Sequence, residues 1–101
     1  MGYQDIQPQA LEEILGLSGI TVIDQRDDAS RQSGELPGAL APSDALMTRL
    51  IRQRRQNLPV LVYCYHGNQS RDLCLFLVQL GLTQVYNLVG GWDAWTKWKT
   101  A

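Results

Sequence analysis

Three short strand signals, the first two of them apolar and rich in β-branched residues, constrain the fold more than any other feature of this chain. They run from Ile20 to Asp24, from Val60 to Tyr63 and from Val85 to Leu88. Continuous apolar runs of this length are typical of strands buried on both faces. The segments between them are long enough to form helices, and strands that alternate with helices favour a parallel sheet with right-handed crossovers. We therefore predict an α/β fold with a mainly parallel central sheet and helices on both faces.

Weaker patterns extend this prediction through the first half of the chain. Tyr3 to Ile6 can form a short edge strand, and Pro8 suits the first turn of a helix that ends at the glycines of residues 16–19. Ala39 to Ala41 can form another brief strand. Ser43 is suited to cap the helix that follows, because its hydroxyl can accept a hydrogen bond from a backbone N–H of the first turn. The side chains expected on the buried face of that helix are Leu46, Leu50 and Ile51.

The second half of the chain contains the strongest strand signal, Val60 to Tyr63, which we place at the centre of the sheet. A helix from Arg71 to Leu80 should follow, with Cys74 and Leu77 among its inward-facing residues. A final helix should begin after Gly90 and Gly91. It carries three tryptophans at i, i+3 spacing, which we interpret as packing residues. They are Trp92, Trp95 and Trp98.

Composition and charge restrict the class of protein. The chain has 101 residues, of which 45% are hydrophobic and 19% charged, and its formal net charge is -1. This size and composition suit a single domain over residues 1–101 whose core forms without metals or disulfides. A near-zero net charge argues against binding of nucleic acids or anionic membranes, because both require a positive surface potential. We therefore expect neither kind of partner. Since no apolar helix face is left over, we expect a monomer.

The cysteines and the N-terminal segment indicate a compartment. Cys64 and Cys74 are the only cysteines, too few for a disulfide framework or for the paired spacings of a zinc site. Residues 1–17 contain acids and glutamines where a signal peptide would need a basic start and an unbroken apolar run. No stretch approaches the roughly 20 apolar residues that span a bilayer. We expect a cytoplasmic protein in a reducing environment.

The segment that carries the chemistry leaves the strongest strand at Tyr63 and enters a helix at Arg71. Ligands of parallel α/β sheets bind beyond the carboxyl ends of strands, where a short loop turns backbone N–H groups inward at the positive end of a helix dipole. Gly67 supplies the backbone freedom that such a loop needs. A cysteine at the base of this loop should have a lowered thiol pKa, because the N–H groups stabilise its thiolate. Cys64 is therefore the candidate nucleophile.

At this loop the sequence resembles the rhodanese (thiosulfate sulfurtransferase) family, whose single-domain bacterial members share a Cys-Tyr-His-Gly-Asn-x-Ser motif. The resemblance covers almost the whole chain and implies the family's three-layer fold. Residues 22–26 match its Asp-x-Arg strand end, residues 34–39 its Gly-His-Ile-Pro-Gly-Ala turn, and residues 90–95 its C-terminal signature. Two positions depart from the family pattern: Glu35 replaces the histidine of the turn, and Ser30-Arg31 replaces an acidic-aromatic pair. Both lie away from the cysteine loop in sequence.

The resemblance implies a two-step sulfur transfer that uses no metal or organic cofactor. Cys64 would take the outer sulfur of thiosulfate or a similar donor, hold it as a persulfide, and pass it to cyanide or a thiol. A thioredoxin-like protein is one thiol acceptor that this chemistry admits. The backbone amides of the loop would stabilise the charge of the persulfide, and the Ser70 hydroxyl would also cap the helix. The implied substrate-binding residues are Tyr65, His66, Gly67, Asn68, Gln69, Ser70 and Arg71.

The sequence allows two roles for several side chains near the loop. His66 could act as a general base, although a thiol activated by backbone donors needs none. Arg71 could attract an anionic donor or only balance charge on the first helical turn. We interpret Asp24 and Arg26 as a structural ion pair rather than as catalytic groups. We interpret Cys74 as a core residue rather than a second redox thiol.

Two other functions stay open. A Cys-based phosphatase or arsenate reductase uses a similar loop, but those enzymes need a Cys-x5-Arg pattern. Here Ser70 occupies the arginine position and Arg71 follows one residue late, so the smaller loop should favour a sulfur atom over phosphate. A non-enzymatic sulfur-carrier or regulatory module is the third possibility. The presence of Cys64 favours an enzyme over such a module.

Overall fold

The computed structural model describes residues 2–101 and contains one five-stranded sheet. Its strands are β1 Gln4–Ile6, β2 Thr21–Asp24, β3 Ala39–Leu40, β4 Val60–Tyr63 and β5 Val85–Leu88. Every neighbouring pair is parallel, and the strands lie in the order β1-β5-β4-β2-β3. The predicted α/β class, the parallel sheet, the central position of β4 and the edge position of β1 are all confirmed.

Five α-helices connect and cover the strands. They are α1 Leu11–Leu15, α2 Asp28–Gln32, α3 Asp44–Arg52, α4 Gln69–Gln79 and α5 Gly91–Thr100. A short 3-10 turn at Pro8–Ala10 leads into α1, as the position of Pro8 predicts. Ser43 caps α3 as expected, since its Oγ accepts a hydrogen bond from the N–H of Leu46 at 3.0 Å. Between residues 2 and 101, no helix is both long and apolar enough to cross a membrane.

Two apolar clusters, one on each face of the sheet, form the core. The cluster beneath α3 and α4 includes Leu50, Cys74 and Leu77. The cluster beneath α1 and α5 includes Leu11 and Trp95. Cys74 has no exposed surface, so its predicted position in the core is confirmed.

The apolar side chains of the last two helices are less buried than the sequence predicted. Trp95 is buried and Trp92 partly buried, but Trp98 is 51% exposed, so the packing interpretation was wrong for Trp98. Each step of three residues rotates a side chain by about 60° around the helix, which carries Trp98 away from the face of Trp92. On α4, Leu75 and Phe76 are 47% and 48% exposed. This apolar surface was not expected from the sequence.

The sequence did not predict α2. None of its residues is buried, and therefore no apolar periodicity marks it as a helix. Polar contacts of Arg31 hold it instead. The guanidinium of Arg31 donates to the backbone carbonyl of Arg26 and pairs with Asp28.

A buried ion pair links the end of β2 to β4 and to the turn before β3. Arg26 Nη2 lies 2.8 Å from Asp24 Oδ2, and both side chains are almost fully buried. The Tyr63 hydroxyl donates to the same carboxylate oxygen at 2.6 Å and accepts a hydrogen bond from the N–H of Leu36. The guanidinium carbon also lies 4.2 Å from the ring centroid of Trp92. The predicted ion pair is thus confirmed, and its structural rather than catalytic role stays a prediction.

Candidate functional site

Cys64 is the first residue after β4, at the carboxyl end of the central strand. Its sulfur accepts a hydrogen bond from the backbone N–H of Gly67 at 3.1 Å, and the N–H groups of His66 and Ser70 act with it to lower the pKa of the thiol. The chain from residue 64 to residue 70 therefore curls around the sulfur before it continues along α4. The fold brings the sequence-predicted nucleophile together with amides of the sequence-predicted loop.

Two glycines allow this loop to approach the start of α5. Gly67 has a φ of +88°, and a Cβ at this position would lie 2.8 Å from the backbone nitrogen of Gly90. Gly91 has a φ of +62°, and a Cβ there would lie 2.4 Å from the carbonyl oxygen of Cys64. A side chain at either position would combine a left-handed backbone with a steric clash, so both positions require glycine.

Burial and hydrogen bonding act on the Cys64 thiol in opposite directions. Burial raises its pKa because it disfavours the charged thiolate. Hydrogen bonds from the Ser70 hydroxyl, when it donates to the sulfur, and from the N–H groups of Ser70, Gly67 and His66 outweigh burial and hold the pKa below its ordinary value of 9.0. For Cys74, burial raises the pKa to about 12, with smaller contributions from the charges of Asp5 and Cys64. Of the two thiols, Cys64 is therefore the one that ionises readily.

An open pocket of about 340 Å³ adjoins the Cys64 sulfur. The rings of Tyr65 and His66 lie 5.0 Å apart at their centroids on the side of this pocket. His66 is also 3.9 Å from Asp93 of α5, measured from Nδ1 to Oδ2. The pocket is large enough for a small anion, while Cys64 itself is only 3% exposed. The residues that line it are Cys64, Tyr65, His66, Asn68 and Gln69.

Three of the substrate-binding residues expected from the sequence do not line this pocket. Gly67 and Ser70 are buried within the loop, where they contact the sulfur directly. Arg71 is exposed on the first turn of α4. Its predicted role in substrate binding therefore stays a prediction.

The predicted capping role of Ser70 was wrong. The N-cap of α4 is Asn68, whose side chain makes no capping hydrogen bond, and Ser70 lies fully buried inside the first turn. Its Oγ is 3.4 Å from Cys64 Sγ and 2.5 Å from Asn87 Oδ1. Because the helix begins two residues earlier than expected, the hydroxyl faces the sheet, where a buried polar group finds its partners.

Asn87 and Asp5 were not predicted to belong to the site. Asn87 is fully buried in β5, and its Nδ2 donates to Asp5 Oδ1 at 2.9 Å. The two residues face each other in the register of β1 and β5. A signal was available, because Asn87 is a buried amide in an otherwise apolar strand and must find hydrogen-bond partners.

Comparison with known proteins agrees with this geometry. A family model described as the rhodanese-like domain matches residues 7–97. The chain is 32% identical over 95 residues to the thiosulfate sulfurtransferase GlpE of Pseudoalteromonas translucida, covering 94% of this chain and 90% of the relative. It is 34% identical over 95 residues to the thiosulfate sulfurtransferase GlpE of Coxiella burnetii, covering 94% of this chain and 89% of the relative.

The three-dimensional structure gives the same result. A rhodanese-related protein from Thermoplasma volcanium superposes with a TM-score of 0.72 at 26% identity, covering 94% of this chain and 92% of that one. The fold implied by the sequence resemblance is therefore confirmed. On both the sequence match and the superposition, the chain belongs to the rhodanese-like domain family.

Proposed function

We propose that this protein is a sulfurtransferase that carries a sulfane sulfur from thiosulfate or a similar donor to cyanide or a thiol, through a persulfide on Cys64. One observation carries the proposal: the Cys64 sulfur, with its lowered pKa, receives backbone N–H donors beside an open pocket. Relatives that are about one-third identical over most of this chain bear the name thiosulfate sulfurtransferase.

In the first step the Cys64 thiolate attacks the outer sulfur of thiosulfate. A new S–S bond forms to Cys64, the S–S bond of the donor breaks, and sulfite leaves with that electron pair. The product is a persulfide whose outer sulfur carries the negative charge. The loop amides and the positive end of the α4 dipole are placed to stabilise this charge without reorganisation.

In the second step the acceptor attacks the outer sulfur. Cyanide forms a C–S bond and leaves as thiocyanate, while the bond between the two sulfurs breaks and Cys64 recovers its electron pair as a thiolate. No proton is taken up or released on Cys64 in either step when cyanide is the acceptor. His66 therefore needs no role as a general base, which agrees with its position at the rim of the pocket.

The same chemistry suggests the partners and the compartment. A pocket of about 340 Å³ suits small donors and acceptors, and a protein thiol such as that of a thioredoxin-like protein would have to approach from its open side. We propose the cytoplasm as the site of action, because a thiol that must form and release a persulfide repeatedly depends on a reducing environment.

The position of Arg71 weighs against a Cys-based phosphatase. Such an enzyme needs an arginine whose guanidinium grips the oxygens of a tetrahedral phosphate beside the cysteine. Arg71 is exposed on α4 and lies outside the pocket lining, and the preceding Ser70 is buried against Cys64. This arrangement favours sulfur over phosphate as the group that is transferred.

Intact-mass spectrometry after incubation with thiosulfate tests the proposal. We expect the mass of one added sulfur atom, which disappears on addition of cyanide with release of thiocyanate. The Cys64→Ser variant should show no addition, whereas Cys74→Ser should load as the wild type does, because Cys74 lies in the core.

Other outcomes would assign another function. Sulfur uptake without release to cyanide or small thiols would indicate a carrier module. Hydrolysis of a generic phosphoester without sulfur uptake would indicate a phosphatase and would overturn the proposal.

A further inference from the structure

We propose that Asp5 and Asn87 are positioning residues that direct the single proton of the Ser70 hydroxyl, and so control how strongly the Cys64 sulfur is stabilised as an anion. The inference rests on the proposed function only in taking Cys64 as the reacting group. It assigns a role to two residues that lie on β1 and β5, outside the cysteine loop.

The four side chains form a continuous chain of polar contacts. Cys64 Sγ lies 3.4 Å from Ser70 Oγ, Ser70 Oγ lies 2.5 Å from Asn87 Oδ1, and Asn87 Nδ2 lies 2.9 Å from Asp5 Oδ1. Cys64 is 3% exposed, and Ser70 and Asn87 have no exposed surface. Each inner group must therefore find its hydrogen-bond partners within this chain of contacts.

The direction of each hydrogen bond follows from the chemistry of Asp5. A carboxylate accepts hydrogen bonds but donates none, so Asn87 must turn its NH₂ group towards Asp5. This leaves the amide oxygen of Asn87 facing Ser70. Because an amide oxygen only accepts, Ser70 must donate its one hydroxyl proton to Asn87.

Ser70 then presents lone pairs, not a proton, to Cys64. This arrangement suits a neutral inner sulfur. A thiol can donate its S–H to Ser70 Oγ, and the inner sulfur of a persulfide carries no charge that needs a donor. A thiolate needs a donor, and it can gain the Ser70 proton only if Ser70 releases Asn87.

The hydrogen-bond chain therefore opposes the loop amides. The N–H groups of Gly67, His66 and Ser70 favour the thiolate, whereas Asp5 and Asn87 draw the hydroxyl proton of Ser70 away from it. The balance favours the loaded enzyme, since the thiolate is the leaving group when the acceptor removes the outer sulfur. Asp5 and Asn87 should thus slow transfer of the outer sulfur to the acceptor.

The substitution Asp5→Asn tests whether Asp5 sets the direction of these hydrogen bonds. An asparagine at position 5 can donate to the oxygen of Asn87, so the Asn87 amide can rotate and donate its NH₂ group to Ser70 Oγ. Ser70 can then donate its proton to the thiolate. We expect the pKa of Cys64 to fall by roughly one to two units, the effect of one hydrogen bond gained by a charged group.

The measurement is the rate of alkylation of Cys64 by iodoacetamide across a range of pH, with the modified residue identified by mass spectrometry. Asp5 is exposed, so its substitution should leave the fold intact. The readout requires no sulfur transfer, so it remains interpretable even if the proposed function is wrong. The control is Glu12→Gln, which removes one charge from an exposed position of α1 without touching the chain of contacts.

A double-mutant cycle with Ser70→Ala distinguishes the hydrogen-bond effect from a simple charge effect. We expect Asp5→Asn to lower the pKa of Cys64 when Ser70 is present and to have little effect when it is alanine. An equal shift in both backgrounds, or no shift in either, would overturn the proposal.

A salt series on Asp5→Asn alone gives a second criterion that does not depend on the stability of the Ser70 variant. Loss of a surface charge produces a shift that shrinks as salt is raised, whereas a rearranged buried hydrogen bond produces a shift that persists. Disappearance of the shift at high salt would contradict the positioning role.

The other titratable or charged groups on the elements around the sulfur are the same in all these variants, so they do not account for a difference in the pKa of Cys64. They are Tyr63 of β4, Tyr65 and His66 of the loop, Arg71, Asp72 and Cys74 of α4, Tyr86 of β5, and Asp93, Lys97 and Lys99 of α5.

Discussion

The backbone N–H of Trp92 donates a hydrogen bond to the carbonyl oxygen of Cys64 at 2.9 Å. The next N–H, that of Asp93, donates to the carbonyl of Tyr65 at 3.0 Å. The first turn of α5 thus uses two of its unpaired N–H groups to hold the base of the cysteine loop. The two glycine residues that precede Trp92 make this approach possible, and the loop geometry depends on them.

The first prediction concerns Gly91. The substitution Gly91→Ala places a Cβ 2.4 Å from the Cys64 carbonyl oxygen in a left-handed backbone, so the loop or α5 must move. We expect a loss of stability about 1–3 kcal/mol larger than that of the control, the usual size of an overpacking effect. We also expect slower alkylation of Cys64, because the loop donors are displaced. Urea denaturation and the alkylation rate measure the two effects.

Gly38→Ala is the matched control. Gly38 also has a positive φ, of +75°, but a Cβ there would meet nothing within 4 Å. The backbone cost alone should destabilise this variant by about 1 kcal/mol and leave alkylation of Cys64 unchanged. Equal losses of stability in the two variants would show that steric contact with the loop is unimportant.

The second prediction concerns the buried ion pair. Arg26→Met leaves the Asp24 carboxylate without its main partner at a position with no exposed surface. Removal of one member of a buried pair usually costs about 3–5 kcal/mol. We expect a loss in this range by urea denaturation at neutral pH. Arg31→Met, at a partly exposed site, should cost much less.

The third prediction is the acid dependence of stability. Burial raises the pKa of Asp24, but hydrogen bonds from Arg26 and Tyr63 outweigh it and hold the pKa below the ordinary value of 3.8. Asp24 therefore contributes stability above pH 3.8, and this contribution is lost as the pH falls through the lower pKa of the folded state. Denaturation curves of the wild type and of Asp24→Asn should converge in acid. Parallel curves throughout would mean that Asp24 titrates normally in the folded protein.

The fourth prediction is selective modification of the two thiols. Because the pKa of Cys64 is below 9.0, its alkylation should reach half its maximal rate at a pH below 9.0. Burial raises the pKa of Cys74 to about 12, so that thiol should remain unmodified in the folded protein. Peptide mapping after a short iodoacetamide pulse measures both rates. Comparable labelling of the two cysteines in native protein would contradict this assignment.

The local part of the site could be predicted from the sequence, and the remainder could not. Val60 to Tyr63 is an apolar run, and Cys64 follows it at once, so local patterns are enough to place the nucleophile at a strand end. Ser70 was assigned to a cap because serine often occupies that position. Its actual partner, Asn87, is 17 residues away and lies on another strand.

Local sequence patterns also could not predict the contact of Asp5 or the helix α2. Asp5 meets Asn87 across 82 residues of sequence, and only the order of strands in the sheet brings them together. No buried residue marks α2, so periodicity carries no information about it. The prediction that Trp98 packs in the core was wrong for a geometric reason, since three-residue spacing does not keep side chains on one face of a helix.

The pairing of β1 with β5 has a consequence for how the protein is made. β1 precedes the other four strands of the sheet, yet its neighbour in the sheet, β5, is the last of the five to leave the ribosome. At about 5–20 residues per second, the nascent β1 must wait several seconds for its partner. Until β5 is synthesised, Asn87 is absent, so neither Asp5 nor Ser70 has its partner. The proposed chain of contacts from Asp5 to the Cys64 sulfur is therefore completed late in synthesis.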